Sequence, residues 1–209
     1  MIAYASRTGT TASLAILRDR GWRIMVSARG PLRHEGFPYA LDNGAWTAHE
    51  RGEPFSVPHF DRALDLLGAD ADFVVAPDVV AGGPASLEFS LSWLPRLAAC
   101  RLVLLAVQDG MTPDLVRPHL GPRVGIFVGG TTDDGPDGGW KLRTLPDWAR
   151  LARGAGAYLH VGRVNTHKRV LACSAAGADS FDGSNASRFA LAKVPGLERA
   201  RRQRGLGLP

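Results

Sequence analysis

The residue best placed for chemistry in this chain is Asp182. It closes the short run Asp179-Ser180-Phe181-Asp182 and is followed at once by Gly183-Ser184-Asn185-Ala186-Ser187-Arg188. A carboxylate at such a boundary can bond an electrophilic carbon or, more plainly, cap the helix that follows. A second carboxylate stands in the same setting, where Tyr39-Ala40-Leu41-Asp42 runs into Asn43-Gly44-Ala45-Trp46. Two carboxylates flanking a glycosidic carbon divide the work of breaking its bond: one attacks the sugar, the other manages the proton of the leaving group.

Similar boundaries recur along the chain. Apolar runs end in Ala76-Pro77-Asp78, in Val107-Gln108-Asp109-Gly110, in Val128-Gly129-Gly130 and in Leu159-His160-Val161-Gly162-Arg163. Each has a bland role when taken alone: Asp78 as a cap, Gln108 as a solvated strand end, Gly129-Gly130 as a loop, Trp46 as a core aromatic. Together they match the recognition of a purine. Guanine donates through N1–H and its exocyclic amine, which Asp78 can accept, and its O6 accepts from the Gln108 amide and a Gly130 N–H. Glycines let backbone approach a ligand closely, and Trp46 offers a stacking face.

Something must bring these residues together. Eight short apolar or β-rich runs are present: Ile2-Ala5, Arg23-Ser27, Tyr39-Asp42, Phe73-Pro77, Leu102-Gln108, Val124-Val128, Tyr158-Val161 and Asp179-Asp182. Between them, Thr11-Arg20, Phe60-Leu67, Ala85-Leu97, Pro113-Leu120, Leu145-Arg153 and Thr166-Ala176 repeat apolar residues at three- and four-residue spacing, as helices do. Near-continuous apolar strands alternating with helices make a parallel sheet covered on both faces, and eight of them predict a compact (β/α)8 TIM barrel in the α/β class. An open doubly wound sheet is the alternative. Its glycine fingerprint is missing, because Ser6-Arg7-Thr8-Gly9-Thr10 has a single glycine. In a barrel, the runs listed above would all empty into one bowl at the C-terminal ends of the strands.

The 209 residues suit one domain, expected over 1–195, with 196–209 a basic C-terminal tail. No apolar run is long enough to cross a membrane and no secretion signal is visible, so a soluble, cytoplasmic protein without a membrane partner is expected. Cys100 and Cys173 have no partners at metal-ligand spacing and read as buried small residues; no metal site and no cofactor are expected. The formal charge is +5, with basic residues gathered at 163–169 and at Arg199, Arg201, Arg202 and Arg204. That balance permits a polyanionic partner, although the tail arginines serve equally well as solubilising groups. Arg163, Lys168 and Arg169 follow the seventh run, where barrels bind phosphate at a helix start with Thr166 as its cap, and are assigned to nucleic-acid backbone contacts; a solvated helix face is the other reading. Asn185 and Arg188, beside Asp182, are further candidates.

The motifs Ala157-Tyr158-Leu159-His160-Val161-Gly162 and Ala176-Gly177-Ala178-Asp179-Ser180-Phe181-Asp182 resemble the C-terminal signature of the tRNA-guanine transglycosylases. With Asp42-Asn43-Gly44-Ala45-Trp46, Val107-Gln108-Asp109-Gly110 and Val128-Gly129-Gly130, the resemblance spans Tyr39 to Arg188. The compact form is most similar to the phage and DNA-modification branch, which inserts 7-deazaguanines into DNA. The resemblance implies Asp182 as nucleophile and Asp42 as general acid/base. It implies Asp78, Gln108, Gly129 and Gly130 as readers of the base, with Trp46 and His160 on its faces. The implied reaction releases guanine from DNA, forms a glycosyl-aspartate and admits a free 7-deazaguanine such as preQ0, with host-cell cytoplasm as the location if the gene is carried by a phage. The zinc-binding cysteines of the tRNA enzymes are absent from the chain, which favours DNA over RNA as partner. The family's Asp-Ser-Gly-Gly appears as Asp42-Asn43-Gly44-Ala45, and its Cys-Val-Met-Pro-Thr-Arg loop as 183–188. An RNA-guanine transglycosylase, a base-excising glycosylase and a catalytically silent nucleic-acid-binding barrel are the competing readings, and oligomeric state is open. The silent reading is separated from the others by whether Asp42 and Asp182 face one pocket.

Overall fold

The structure, a computed structural model, describes residues 1–8, 10–130 and 139–203. In chain order it contains β1 (Ile2–Ser6), α1 (Thr11–Asp19), β2 (Arg23–Ser27), β3 (Tyr39–Asp42), α2 (Ala45–Glu50), α3 (Val57–Leu67), β4 (Val74–Val75), α4 (Pro84–Ser92) and β5 (Val103–Val107). There follow α5 (Pro113–Val116) with a 3-10 turn (Arg117–His119), β6 (Val124–Val128), α6 (Gly139–Ala155), β7 (Leu159–Val161), α7 (His167–Ala176), β8 (Ser180–Gly183), α8 (Asn185–Arg188) and α9 (Ala190–Arg202). The eight strands pair in parallel in sequence order, and β8 closes on β1, so the fold is a compact (β/α)8 barrel.

The expected strands are all present, with β4 trimmed to two ladder residues. Pro77 lies in the trimmed part; it has no N–H to give a ladder. The missed elements are α2, α8 and α9. The expected division at 195/196 falls inside α9, which packs against α1, α7 and α8 and buries Val194, Leu197 and Ala200. Its Glu198 accepts from the Trp22 indole at 3.0 Å, and Arg201, itself paired with Glu198, donates to Met1 O at 3.1 Å and to Arg20 O at 3.4 Å, so these two residues fasten the helix to the barrel. The tail therefore begins no earlier than Gln203, and Arg204 lies outside the described residues. No helix among the described residues is long and apolar enough to cross a membrane.

Strand periodicity fixes what faces inward. Side chains alternate along a strand, so Ala3, Leu41, Val161 and Phe181 pack outward under the helices. Their neighbours Tyr4, Ala40, Phe73, Leu104, Phe127 and Tyr158 fill the lumen. The same alternation sends His160, Ser180, Asp182 and Asp42 inward. Register sets their heights: His160 pairs with Ser180, Tyr4 with Asp182, and Ser27 with Asp42. Asp42 and Asp182 are thus the inward-facing groups at the C-terminal rim, above a plug of aromatic rings.

Candidate active site

The rim is built by the loops that leave β3, β4, β5, β7 and β8. After β3 the chain makes two overlapping Asx turns: Asp42 Oδ2 accepts the Gly44 N–H at 3.1 Å and Asn43 Oδ1 accepts the Ala45 N–H at 2.8 Å. Gly44, at φ 80°, is the left-handed residue that starts α2, and a side chain there would strike Arg29. Asn43 is buried, and its amide donates to Ala76 O at 2.6 Å and to Asp78 Oδ1 at 2.8 Å. It thereby ties the β3 and β4 loops together and sets the Asp78 carboxylate. Asp78 caps no helix; α4 starts from Gly83. Gln108 is buried and gives one amide N–H to Val79 O at 2.9 Å.

Asp182 caps no helix either, since α8 starts from Ser184. Its Oδ1 is held twice, by His160 Nε2 at 3.0 Å and by the Arg163 backbone N–H at 3.2 Å. His160 is fully buried, stacked on Phe127 at 4.8 Å and edged by Tyr4 and Phe73, with Nδ1 2.7 Å from Ser180 Oγ. Burial pushes its pKa down against the pull of Asp182. A neutral ring that donates from Nε2 and accepts the Ser180 hydroxyl at Nδ1 satisfies both contacts. The expected position of His160 on a ligand's face is corrected by this geometry: it lies beneath Asp182 and orients the carboxylate. Gly162 makes room for the arrangement, because a Cβ there would meet Phe127 at 2.6 Å and Asp182 Oδ1 at 3.3 Å.

Asp42 and Asp182 open onto the same bowl. Burial first, and the charge of Asp182 second, raise the Asp42 carboxyl to about 6, against the Gly44 N–H and Ser27, which favour its charged form. Burial also raises Asp78, opposed by the Asn43 hydrogen bond. One carboxyl raised to about 6 beside another fixed by two donors is the electrostatic division expected of an acid/base and nucleophile pair.

Sequence reasoning did not find Lys141. This lysine of the first turn of α6 is 3% exposed, and its ammonium donates to Gly162 O at 2.6 Å. Burial lowers it to about 8, with Asp182 and Asp109 favouring the charged form and Arg163 opposing it. A signal existed: Lys141 is in helical register with the buried Leu145, Trp148, Ala149 and Ala152 and so belongs to the core-facing stripe.

The remaining candidates divide. Arg163, at φ 61° just beyond β7, lays its guanidinium 3.8 Å from the centre of the Trp46 ring. Because β3 and β7 stand opposite each other in the closed barrel, this pair spans the mouth of the bowl. The Trp46 face expected to stack a base therefore carries Arg163. Gly129 gives its N–H to Val107 O, and Gly130 (φ 67°) lies against Trp140, whose ring leaves no room for a Cβ there, so the Gly-Gly close approach is to an indole of this chain. Thr166 caps α7 as expected, accepting from Arg169 N, and Arg169 reaches Arg163 O at 3.5 Å. Lys168 is exposed in the first turn of α7. Asn185 is bound to Asn165 through its backbone N–H at 2.9 Å, and Arg188 is exposed on α8. Cys100 and Cys173 are buried free thiols. Among the described residues no three His, Cys, Asp or Glu side chains gather as metal ligands do. Set against models of known protein families and against curated proteins, the chain matches none.

Proposed function

We propose that the protein is a guanine transglycosylase acting on DNA, exchanging guanine for a free 7-deazaguanine base. The observation that carries the reading is the rim pair: Asp182, held at Oδ1 by His160 and Arg163, faces the same bowl as a protonatable Asp42. The motif resemblance over Tyr39 to Arg188 supports the choice of base and polymer.

In this reading Asp182 Oδ2, the oxygen not engaged by His160 and Arg163, bonds C1′ of the deoxyguanosine. The C1′–N9 bond breaks, its electron pair stays with guanine, and Asp42 supplies the proton the departing base takes up. In the second half Asp42, now ionised, accepts the N9 proton of the incoming base. N9 bonds C1′, the Asp182–C1′ bond breaks, and two inversions give net retention. Asp78, positioned by Asn43, accepts from the N1–H and amine edge, and Gln108 donates to O6. A base that stacks on Trp46 displaces the Arg163 guanidinium, which becomes available to a backbone phosphate near Lys168 and Arg169.

Incubation with labelled guanine and either duplex DNA or tRNA tests the proposal. Label incorporated into DNA is the expected result. Incorporation into tRNA alone would move the activity to RNA, abasic sites without incorporation would make the protein a glycosylase, and binding without chemistry would leave a silent barrel.

A further inference from the structure

Lys141 and Asp182 act on the two ends of one peptide group. The peptide between Gly162 and Arg163 accepts the Lys141 ammonium on its oxygen at 2.6 Å and donates its N–H to Asp182 Oδ1 at 3.2 Å. In a trans peptide the C=O and N–H point in opposite directions, so lysine and aspartate occupy opposite edges of the same plane. A cation on the carbonyl draws electron density toward oxygen and makes the N–H a stronger donor, the cooperative strengthening known for hydrogen-bond chains in a low-dielectric interior.

Two further features fall on this peptide. Arg163 holds the left-handed φ of 61°, which a non-glycine residue adopts only when its surroundings enforce it. Gly162 is packed against Phe127 and Asp182 with no room for a side chain. Both conditions fix the direction of the N–H. A buried lysine is also expensive to the fold, since its charge is taken out of water with a carbonyl as partner. Among the described residues, the charged or titratable groups that face it are Asp182 from β8, His160 from β7, Arg163 from the β7 loop, Cys173 from α7 and Asp109 from the β5 loop.

We infer that Lys141 is a positioning residue for the nucleophile, acting through the Gly162–Arg163 peptide to fix Asp182 Oδ1 and leave Oδ2 for the sugar carbon. The inference rests on the base-exchange reading for its catalytic meaning, but the relay itself is a property of the folded protein. With Lys141 charged, the peptide N–H is strongly polarised; with Lys141 neutral or absent, the Asp182 carboxylate keeps His160 as its one strong donor.

The test combines kinetics with the backbone 15N–1H resonance of Arg163. In the full-length protein carrying Lys141→Met, kcat for base exchange is expected to fall about 10- to 100-fold, the scale of losing an outer hydrogen-bond partner. KM for DNA should stay within about threefold, since uniform substrate binding is untouched. In Lys141→Ala, propylammonium should restore part of kcat. The Arg163 amide proton should lie downfield in the wild type and move upfield in Lys141→Met. In the wild type it should also follow a titration near pH 8, a readout that needs no variant to fold. An Arg163 resonance indifferent to Lys141 and to that titration overturns the relay, as does an unchanged kcat or a loss of kcat that amine does not restore. A wild type without exchange activity is a different failure: it removes the base-exchange reading while the Arg163 resonance still reports on the relay.

Discussion

The two ends of the barrel treat their carboxylates in opposite ways. At the N-terminal end, Asp72 accepts the Tyr4 hydroxyl at 2.9 Å and pairs with Arg23 at 2.8 Å, so one carboxylate is matched by one guanidinium and a phenol. At the C-terminal end, Asp42, Asp78 and Asp182 crowd one bowl; their hydrogen bonds come from backbone N–H groups, Ser27, Asn43 and His160, and the cations Lys141 and Arg163 stand close by. Burial raises Asp42 and Asp78 where an ion pair would lower them. The first arrangement stabilises the fold. The second leaves raised carboxylates without a matched guanidinium, the kind of division by which barrels keep stability at one end and chemistry at the other.

The largest effect that separates the ends is expected from Asp182→Asn. The amide keeps an oxygen for His160 and Arg163 but cannot bond C1′. Base exchange should fall by at least roughly 10⁴-fold, the scale on which losing a catalytic nucleophile acts, with the melting temperature nearly unchanged. Residual exchange within tenfold of the wild type would remove Asp182 from the chemistry.

A graded effect comes from pH. Asp42 at about 6 must be protonated to release guanine, so single-turnover cleavage of the base is expected to decline as pH rises through about 6, close to tenfold for each unit above it. The sign for stability agrees: a carboxyl raised from 3.8 contributes stability that is full below 3.8 and is lost as pH rises through about 6. A rate profile flat across that range, or a limb that survives in Asp42→Asn, contradicts the assignment.

The smallest expected effect on rate lies at the other end. Asp72→Ala leaves the buried Tyr4 hydroxyl and Arg23 without their acceptor and should cost about 1–3 kcal/mol of stability, read as a lower midpoint in urea, while exchange at low temperature stays at the wild-type rate. Loss of activity without loss of stability would dissolve the contrast between the two ends.

How much of this was legible in the sequence follows from what determines each part. Parallel strands buried on both faces advertise themselves as apolar runs, and their order gave the barrel and the rim. Short elements with weak signals did not: α2 starts from a left-handed Gly44, and α9 carries Pro195 and Gly196 in its middle, so both read as loop. Among the site residues, Asp42 and Asp182 were legible because strand ends reveal which residues reach the bowl. The place of His160 beneath Asp182 and the clasp of Arg163 over Trp46 depend on barrel register and on contacts between opposite strands, which no local window contains. Lys141 was hidden by its type. A lysine on a polar stretch reads as solvated, although its position on the buried stripe of α6 pointed inward.

The most direct measurement is to stop the reaction of wild-type protein with guanine-containing DNA under denaturing conditions, digest it, and map any nucleic-acid adduct by mass spectrometry. A deoxyribosyl-linked strand on the peptide containing Asp182, absent from Asp182→Asn, is the predicted result. No adduct under conditions where base exchange proceeds, or an adduct on any other residue, would contradict the account.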